Sequence, residues 1–203
     1  MTRPRLNPWG GRHGALVGLL GGSFNPAHDG HRHIALLALR LLGLDEVWLL
    51  VSPQNPLKPE AGMAPLGERL ASAEAICGDH PRLRPTTIET DLGTRYTADT
   101  LEVLRRRFPR IRFVWLMGAD NLAGFHRWHR WESIFRSVPV AILARGPYSA
   151  RTLGGRAAHR FAGCRLPSSR ARFLWQGRPP AWVFLHIRRH AASSTAIRNR
   201  RDP

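Results

Sequence analysis

The chain is predicted to fold as a single α/β domain built on a doubly wound, parallel sheet. Three observations predict this. Short apolar runs alternate with stretches of helical spacing along the chain. The runs are apolar at their centres rather than alternating, as strands buried on both faces are. Polar, glycine-bearing or hydroxyl-bearing segments follow several of these runs, where such sheets bind ligands. A chain of 203 residues is long enough for one domain with a real core and too short for two large ones.

Residues 15–20 (ALVGLL) form the first predicted strand, and residues 34–42, rich in Leu and Ala, the first helix. A second strand is expected over 46–52 (EVWLLVS), then a proline-rich loop over 53–65. The next helix covers 66–77, with Leu70, Ala73 and Ile76 at helical spacing. A short strand over 84–88 precedes a helix over 97–108, which turns Leu101 and Leu104 inward and its arginines outward. Strands follow over 111–117 (IRFVWLM) and 138–144, and a weakly patterned helix over 149–164. The last strand covers 181–187 and a terminal helix 193–200. Residues 1–14, dominated by Arg, Pro and Gly, lack the apolar core of a secretory signal; they read as a flexible extension to a domain spanning 15–203. No internal repeat is visible.

The segment GGSFNPAHDGH (21–31) carries the most chemistry. Gly21 and Gly22 place no Cβ between the backbone and a ligand. Pro26 stiffens the loop. His28 and His31 flank Asp29-Gly30, with His31 near a helix N-terminus that attracts anions. Two imidazoles there can donate to phosphate oxygens, so the simplest reading is a nucleotide phosphate site. A plain turn is the bland alternative. Zinc would want three or four protein ligands, and no further His or Cys cluster has an obvious partnering spacing.

Other segments offer either structure or chemistry. In SSTAIR (193–198) Ser193 or Ser194 can cap a helix; Thr195 and Arg198 on the same face add a hydroxyl and a guanidinium, which makes a second anion site. Lys58 is the sole lysine among 31 basic residues, which marks a compact point charge in the PQNPLKP loop or a chance surface residue. Gly118 and Asp120 end a buried strand, where the carboxylate either caps a helix or accepts from ribose hydroxyls. Trp128 and Trp131, three apart on a presumed helix, are candidates for packing. Thr97 opens a helix as cap or contact, and Arg145 follows a strand as a surface charge or a ligand contact.

The formal net charge of +17 invites a nucleic-acid reading. The arginines are mostly scattered, however, and a scattered excess is a solvated surface that steers small anions such as nucleotides. Nucleic-acid binding is therefore not expected as the main role. Cys77 and Cys164 form no metal or redox motif and fit small buried or semi-buried positions in a reducing compartment. No run approaches the length of a membrane span, so a cytoplasmic protein is expected.

HDGH after a first strand, with the GSFNP lead-in, resembles the HxGH nucleotidyltransferase superfamily, whose fold is Rossmann-like. SPQNPLK (52–58), RYTADTL (95–101), GADNL (118–122), Trp128 and SSTAIR, in that order, resemble the narrower nicotinate-nucleotide adenylyltransferase family of bacterial NAD synthesis. The resemblance runs from about Leu16 to Arg198. Ser23 stands where threonine is common and Asn25 where aspartate is common; Ser23 keeps a hydroxyl. The resemblance implies His28, His31 and Arg198 as catalytic residues. It implies ATP contacts from Gly21, Gly22, Ser23 and Phe24 with both histidines, from Gly118, Asp120 and Arg145, and from Ser194, Thr195 and Arg198. The nicotinate nucleotide would meet Ser23, Thr97, a phosphate contact from Lys58, and Trp128 stacked on the pyridine ring.

The reaction so implied joins ATP and nicotinate mononucleotide into deamido-NAD and pyrophosphate. A phosphate whose second pKa is about 6 is already largely dianionic, so no general base is required. Mg²⁺ would arrive on the ATP phosphates with few protein ligands. Homo-oligomers are compatible with this reading. The rival readings are a sister adenylyltransferase using the amidated nucleotide or phosphopantetheine, and an arginine-rich nucleic-acid-binding module.

Overall fold

The structure is a computed structural model that describes residues 14–54, 61–145 and 152–188. Seven strands form one sheet: β1 (Leu16–Gly22), β2 (Glu46–Val51), β3 (Leu83–Thr86), β4 (Arg112–Gly118), β5 (Val140–Arg145), β6 (Arg165–Leu166) and β7 (Trp182–Ile187). Their order is β3-β2-β1-β4-β5-β7-β6, and every neighbouring pair is parallel. The predicted fold class is correct.

Helices α1 (Asp29–Leu42) and α2 (Leu66–Cys77) carry the chain outward from β1 through β2 to β3. After the short α3 (Ile88–Asp91), α4 (Thr97–Arg107) carries it back across to β4. Right-handed crossovers in opposite directions must lie on opposite faces of the sheet. Two cores follow. Leu20, Leu49 and Leu116 pack under α1 and α2 with Ile34, Leu39 and Ala73. Leu19, Trp48 and Trp115 pack on the other face with Leu101, Phe125 and Phe135. Adjacent residues such as Leu19 and Leu20 thus serve different cores, because successive strand side chains point to opposite faces. The direction of winding reverses between β1 and β4, and there the strand ends open a crevice.

Several boundaries differ from expectation. Helix α1 begins at Asp29, five residues earlier than the apolar pattern indicated, because its first turn is fixed by caps rather than by packing. The strand expected over 84–88 is β3, followed at once by α3. Helices α5 (Ala119–Gly124) and α6 (Trp131–Ser137) are separated by a 3₁₀ turn at Phe125–Arg127, so Trp128 and Trp131 do not share a helix. Within the stretch 149–164 the described residues contain α7 (Arg156–Arg160) and a 3₁₀ turn at Ala162–Cys164 rather than one helix. The two-residue β6 and the 3₁₀ run at Ser168–Gln176 were not anticipated, since neither carries a period. The expected terminal helix over 193–200 lies outside the described residues, as does nearly all of the N-terminal extension. Cys77 is buried and Cys164 half-buried, as expected.

Candidate active site

His28 is the N-cap of α1, with extended backbone, and its Nδ1 accepts from the Gly30 N–H at 3.1 Å. His31, three residues on, returns the favour: its Nδ1 accepts from the His28 N–H at 3.2 Å. This is a capping box in which imidazoles replace the usual hydroxyl and carboxylate. One consequence is chemical. A nitrogen that accepts a backbone N–H carries no proton, so in both rings the proton sits on Nε2, which is then the donating nitrogen. The two rings lie 3.9 Å apart, tilted by 34°. The helix start therefore fixes the tautomer of both histidines.

Phe24 packs against His31 at 4.8 Å and takes a left-handed φ of 49°, a conformation that costs a non-glycine residue about 1 kcal/mol or more. Its ring is buried. The Phe24 ring thus supports His31 from the core. The two glycines also make room within the protein. A Cβ on Gly21 would stand 2.5 Å from Cη2 of Trp115, and one on Gly22 3.3 Å from the Phe24 ring. At Gly21 the missing side chain lets the Trp115 indole pack against the backbone.

That indole floors a cavity of about 390 Å³ at the crevice. Gly21, Gly22 and Ser23 line it from the end of β1, Ser52 from the end of β2, and Glu89 from α3. Tyr96 and Thr97 at the start of α4, Asn121 of α5 and Trp128 complete the inner wall, with Arg95, Arg127 and His129 at the rim. Two buried polar atoms on this lining, Ser23 Oγ and Trp115 Nε1, have no hydrogen-bond partner among the described residues. Native interiors rarely leave such atoms unpaired, so both are suited to a bound polar ligand. The rings of Tyr96 and His129 stand 4.5 Å apart across the rim. Arg130 ties the Trp128 segment to α4 through Asp99 (3.1 Å) and Glu102 (3.4 Å).

Trp128 is half-buried. It leans on Phe125 (4.9 Å) and Trp115 (6.4 Å) while contributing to the cavity wall. Trp131 instead packs edge-on against Phe161, as its packing assignment requires. Thr97 lies in the wall but is not a cap: Tyr96 holds the N-cap position and makes no side-chain cap bond. Asp120 does not cap α5 either. It is exposed, its carboxylate lies close over Gly118, and the neighbouring Asn121 lines the cavity in its stead.

The sequence reading overlooked Arg69 and Glu89. The Arg69 guanidinium is buried and donates to four carbonyls: Ser23 (2.9 Å), Ser52 (2.6 Å), Pro53 (2.9 Å) and, through Nε, Ala64 (2.8 Å). It pins the loops after β1 and β2 to each other, and burial lowers its pKa from the ordinary guanidinium value. Glu89 is buried beside Thr100, and burial pushes its carboxyl up to about 6. Arg69 sits on the outward side of a helical pattern, and Glu89 in the stretch between a short predicted strand and the next helix, so no periodicity signal marked them.

Of the remaining expected contacts, Lys58, Ser194, Thr195 and Arg198 lie outside the described residues. Arg145 ends β5 opposite Ile187, and its side chain is likewise outside them. His28 and His31 flank the cavity along the turn beyond Ser23 without lining it. Two adjoining compartments result, a mixed polar and aromatic cavity and a turn with two donating imidazoles.

Such a pair at the switch point of a parallel sheet defines a nucleotide-binding α/β protein. The chain belongs to the cytidylyltransferase-like family, whose model matches residues 19–200. It is 54% identical over 183 residues to a "Probable nicotinate-nucleotide adenylyltransferase" of Cereibacter sphaeroides, covering 90% of this chain and 96% of that one. A protein of the same description from Methylorubrum extorquens is 52% identical, covering 91% and 99%. Among solved structures, the nicotinic acid mononucleotide adenylyltransferase of Plasmodium falciparum complexed with NaAD superimposes with a TM-score of 0.67 at 15% identity, over 91% of this chain and 83% of that one. That likeness is one of fold.

Proposed function

We propose that the chain transfers the adenylyl group of ATP to nicotinate mononucleotide, giving deamido-NAD and pyrophosphate in NAD biosynthesis. The observation that carries this reading is the junction at Ser23. There a cavity with an aromatic wall and orphaned polar atoms meets a turn whose histidines both donate through Nε2. The relatives above support the same substrates.

In the reaction an oxygen of the mononucleotide phosphate attacks the α-phosphorus of ATP, and the bond to the β-phosphate breaks. The attacking phosphate needs no deprotonation at neutral pH, so positioning and charge stabilisation are what the protein supplies. Trp128 and the floor around Trp115 hold the pyridine nucleoside, with Thr97 beside it. Nε2 of His28 and His31 donates to phosphate oxygens on which charge accumulates. Ser194, Thr195 and Arg198 take the leaving pyrophosphate, Lys58 the mononucleotide phosphate, and Asp120 and Arg145 the adenosine side. Mg²⁺, if it arrives with the triphosphate, would supply further charge neutralisation. The ion would be held mainly by phosphate oxygens, as Mg²⁺ in such sites usually is. No helix among the described residues is long and apolar enough to cross a membrane, and the proposed activity places the protein in the cytoplasm.

Pyrophosphate release measured with ATP and nicotinate mononucleotide, its amide or phosphopantetheine tests the reading. Turnover is expected with the acid and weaker turnover with the amide. A preference for phosphopantetheine, or no release from the acid, overturns it.

A further inference from the structure

The turn that carries the histidine pair is held by a neighbouring element. Residues 23–27 connect Gly22 at the end of β1 to His28 at the start of α1, and among them Phe24 has a left-handed φ of 49°. A conformation of that kind persists only where the surrounding contacts over-determine it.

Those contacts come from α2 and the residues leading into it. The Arg69 guanidinium donates to the Ser23 carbonyl at 2.9 Å. The Asn25 side chain spans two backbone groups: Nδ2 donates to the Gly62 carbonyl at 2.8 Å, and Oδ1 accepts from the Ala64 N–H at 3.2 Å. Ser72 Oγ accepts from the Ala27 N–H at 3.1 Å and donates to the Arg69 carbonyl at 2.9 Å.

Two of these anchors depend on the residue type present. A carbonyl only accepts and an N–H only donates, so Gly62 and Ala64 together call for a donor and an acceptor on one planar group, which an amide supplies. An ionised aspartate at position 25 could accept from Ala64 but has no proton for Gly62. At position 72 the hydroxyl gives its proton to Arg69 and keeps a lone pair for Ala27.

The hold is passed on to the imidazoles. Asn25 and Ala27 flank Pro26, whose ring fixes its own φ. With both flanks anchored, few backbone dihedrals remain free ahead of the His28 Cα. There the capping box takes over: His28 Nδ1 is tied to the Gly30 N–H and His31 Nδ1 to the His28 N–H, so both Nε2 donors follow the His28 backbone. Neither Asn25 nor Ser72 lines the cavity, so their contacts bear on the histidines rather than on the mononucleotide.

Building on the proposed function, we propose that Asn25 and Ser72 are positioning residues for adenylyl transfer, anchoring the histidine turn to α2 so that the Nε2 donors of His28 and His31 meet the phosphate oxygens as charge accumulates. A misplacement of roughly 1 Å costs about 10²-fold in rate, so a turn loosened at one anchor should lose about tenfold.

Amide exchange in the full chain tests the anchors without any variant. The Ala27 N–H should exchange as slowly as amides in the middle of α1, and fast exchange overturns the proposal. Ser72→Ala and Asn25→Ala should each lower kcat about tenfold while changing KM for ATP and for nicotinate mononucleotide by less than about twofold. Ser72→Thr keeps the hydroxyl and should restore most of the loss. On top of a His28→Ala, His31→Ala double variant, each loss should shrink to less than about twofold, because residues that act through one group are not additive. Wild-type kcat in folded Ser72→Ala and Asn25→Ala overturns the proposal, and so does an undiminished loss in the background without histidines. Either result leaves the proposed function intact as long as the histidine variants are themselves impaired. Wild-type kcat in the histidine double variant would overturn the phosphate role of the pair, and this inference with it.

Discussion

Replacing Arg69 with Met keeps the aliphatic stem in its buried slot and removes every hydrogen bond made by the guanidinium. Four carbonyls, on Ser23, Ser52, Pro53 and Ala64, lose their donors at once. Hydrogen bonds to a charged group contribute about 1.5–3 kcal/mol each, a gross loss of roughly 6–12 kcal/mol for four. Against this stands the cost of burying the cation, which no carboxylate among the described residues offsets and which amounts to several kcal/mol. The net destabilisation expected is about 3–4 kcal/mol. For a chain of this length each kcal/mol lowers Tm by about 2–4 °C, so the variant should melt roughly 6–16 °C lower. The functional effect should be separable from the stability effect. Ser23 and Ser52 line the cavity and hang from the same guanidinium, so at a temperature where the variant is folded its KM for the mononucleotide should rise about tenfold, as a loss near 1.4 kcal/mol in binding would produce. Thermal melts followed by steady-state kinetics check both. A variant melting within 2 °C of the wild type, with unchanged KM, would refute the clamp.

Three further outcomes are expected. His28→Ala and His31→Ala should each lower kcat about 10²-fold, the scale of one lost transition-state donor, and each should also cost about 1 kcal/mol of stability through the capping box; a folded double variant with near wild-type kcat contradicts the phosphate reading. Trp128→Ala should raise KM for the nicotinate nucleotide by a loss of about 0.5–1.5 kcal/mol in aromatic contact, leave KM for ATP nearly unchanged, and be largely restored by Phe; a large fall in Tm with unchanged KM would make Trp128 a packing residue. Glu89 supplies a pH dependence of stability. Its folded pKa of about 6 exceeds the ordinary glutamate value of 4.5, so the folded state binds the extra proton between those values and its advantage fades as pH rises through 6. The wild-type chain should thus lose about 2 kcal/mol relative to Glu89→Gln between pH 4 and pH 7.5, read from urea denaturation, and parallel profiles would remove Glu89 from the account.

The division between what was legible and what was not follows the range of the interactions concerned. The apolar centres of residues 46–52 and 111–117 report burial on both faces, and such strands require a parallel sheet covered by helices. The histidine pair with its intervening glycine, set between a strand and a helix, points to a phosphate site because the helix start itself binds anions. These signals are local in the chain. Tertiary structure decided the tasks of particular groups. Phe24 became a support for His31, Gly21 made room for Trp115, and Trp128 left the helix assigned to it. Arg69 became a clamp on two loops, which needs carbonyls from segments 46 and 17 residues away in sequence. Glu89 became the cavity's buried acid only when α4 delivered Thr100 to it. The sequence by itself determined the sheet, its winding and the place of the histidine turn, because periodicity and helix-end chemistry act over a few residues. Which side chains face the ligand and which hold the walls was decided only when distant segments met, because desolvation and hydrogen-bond satisfaction belong to the packed site and not to any one stretch of chain.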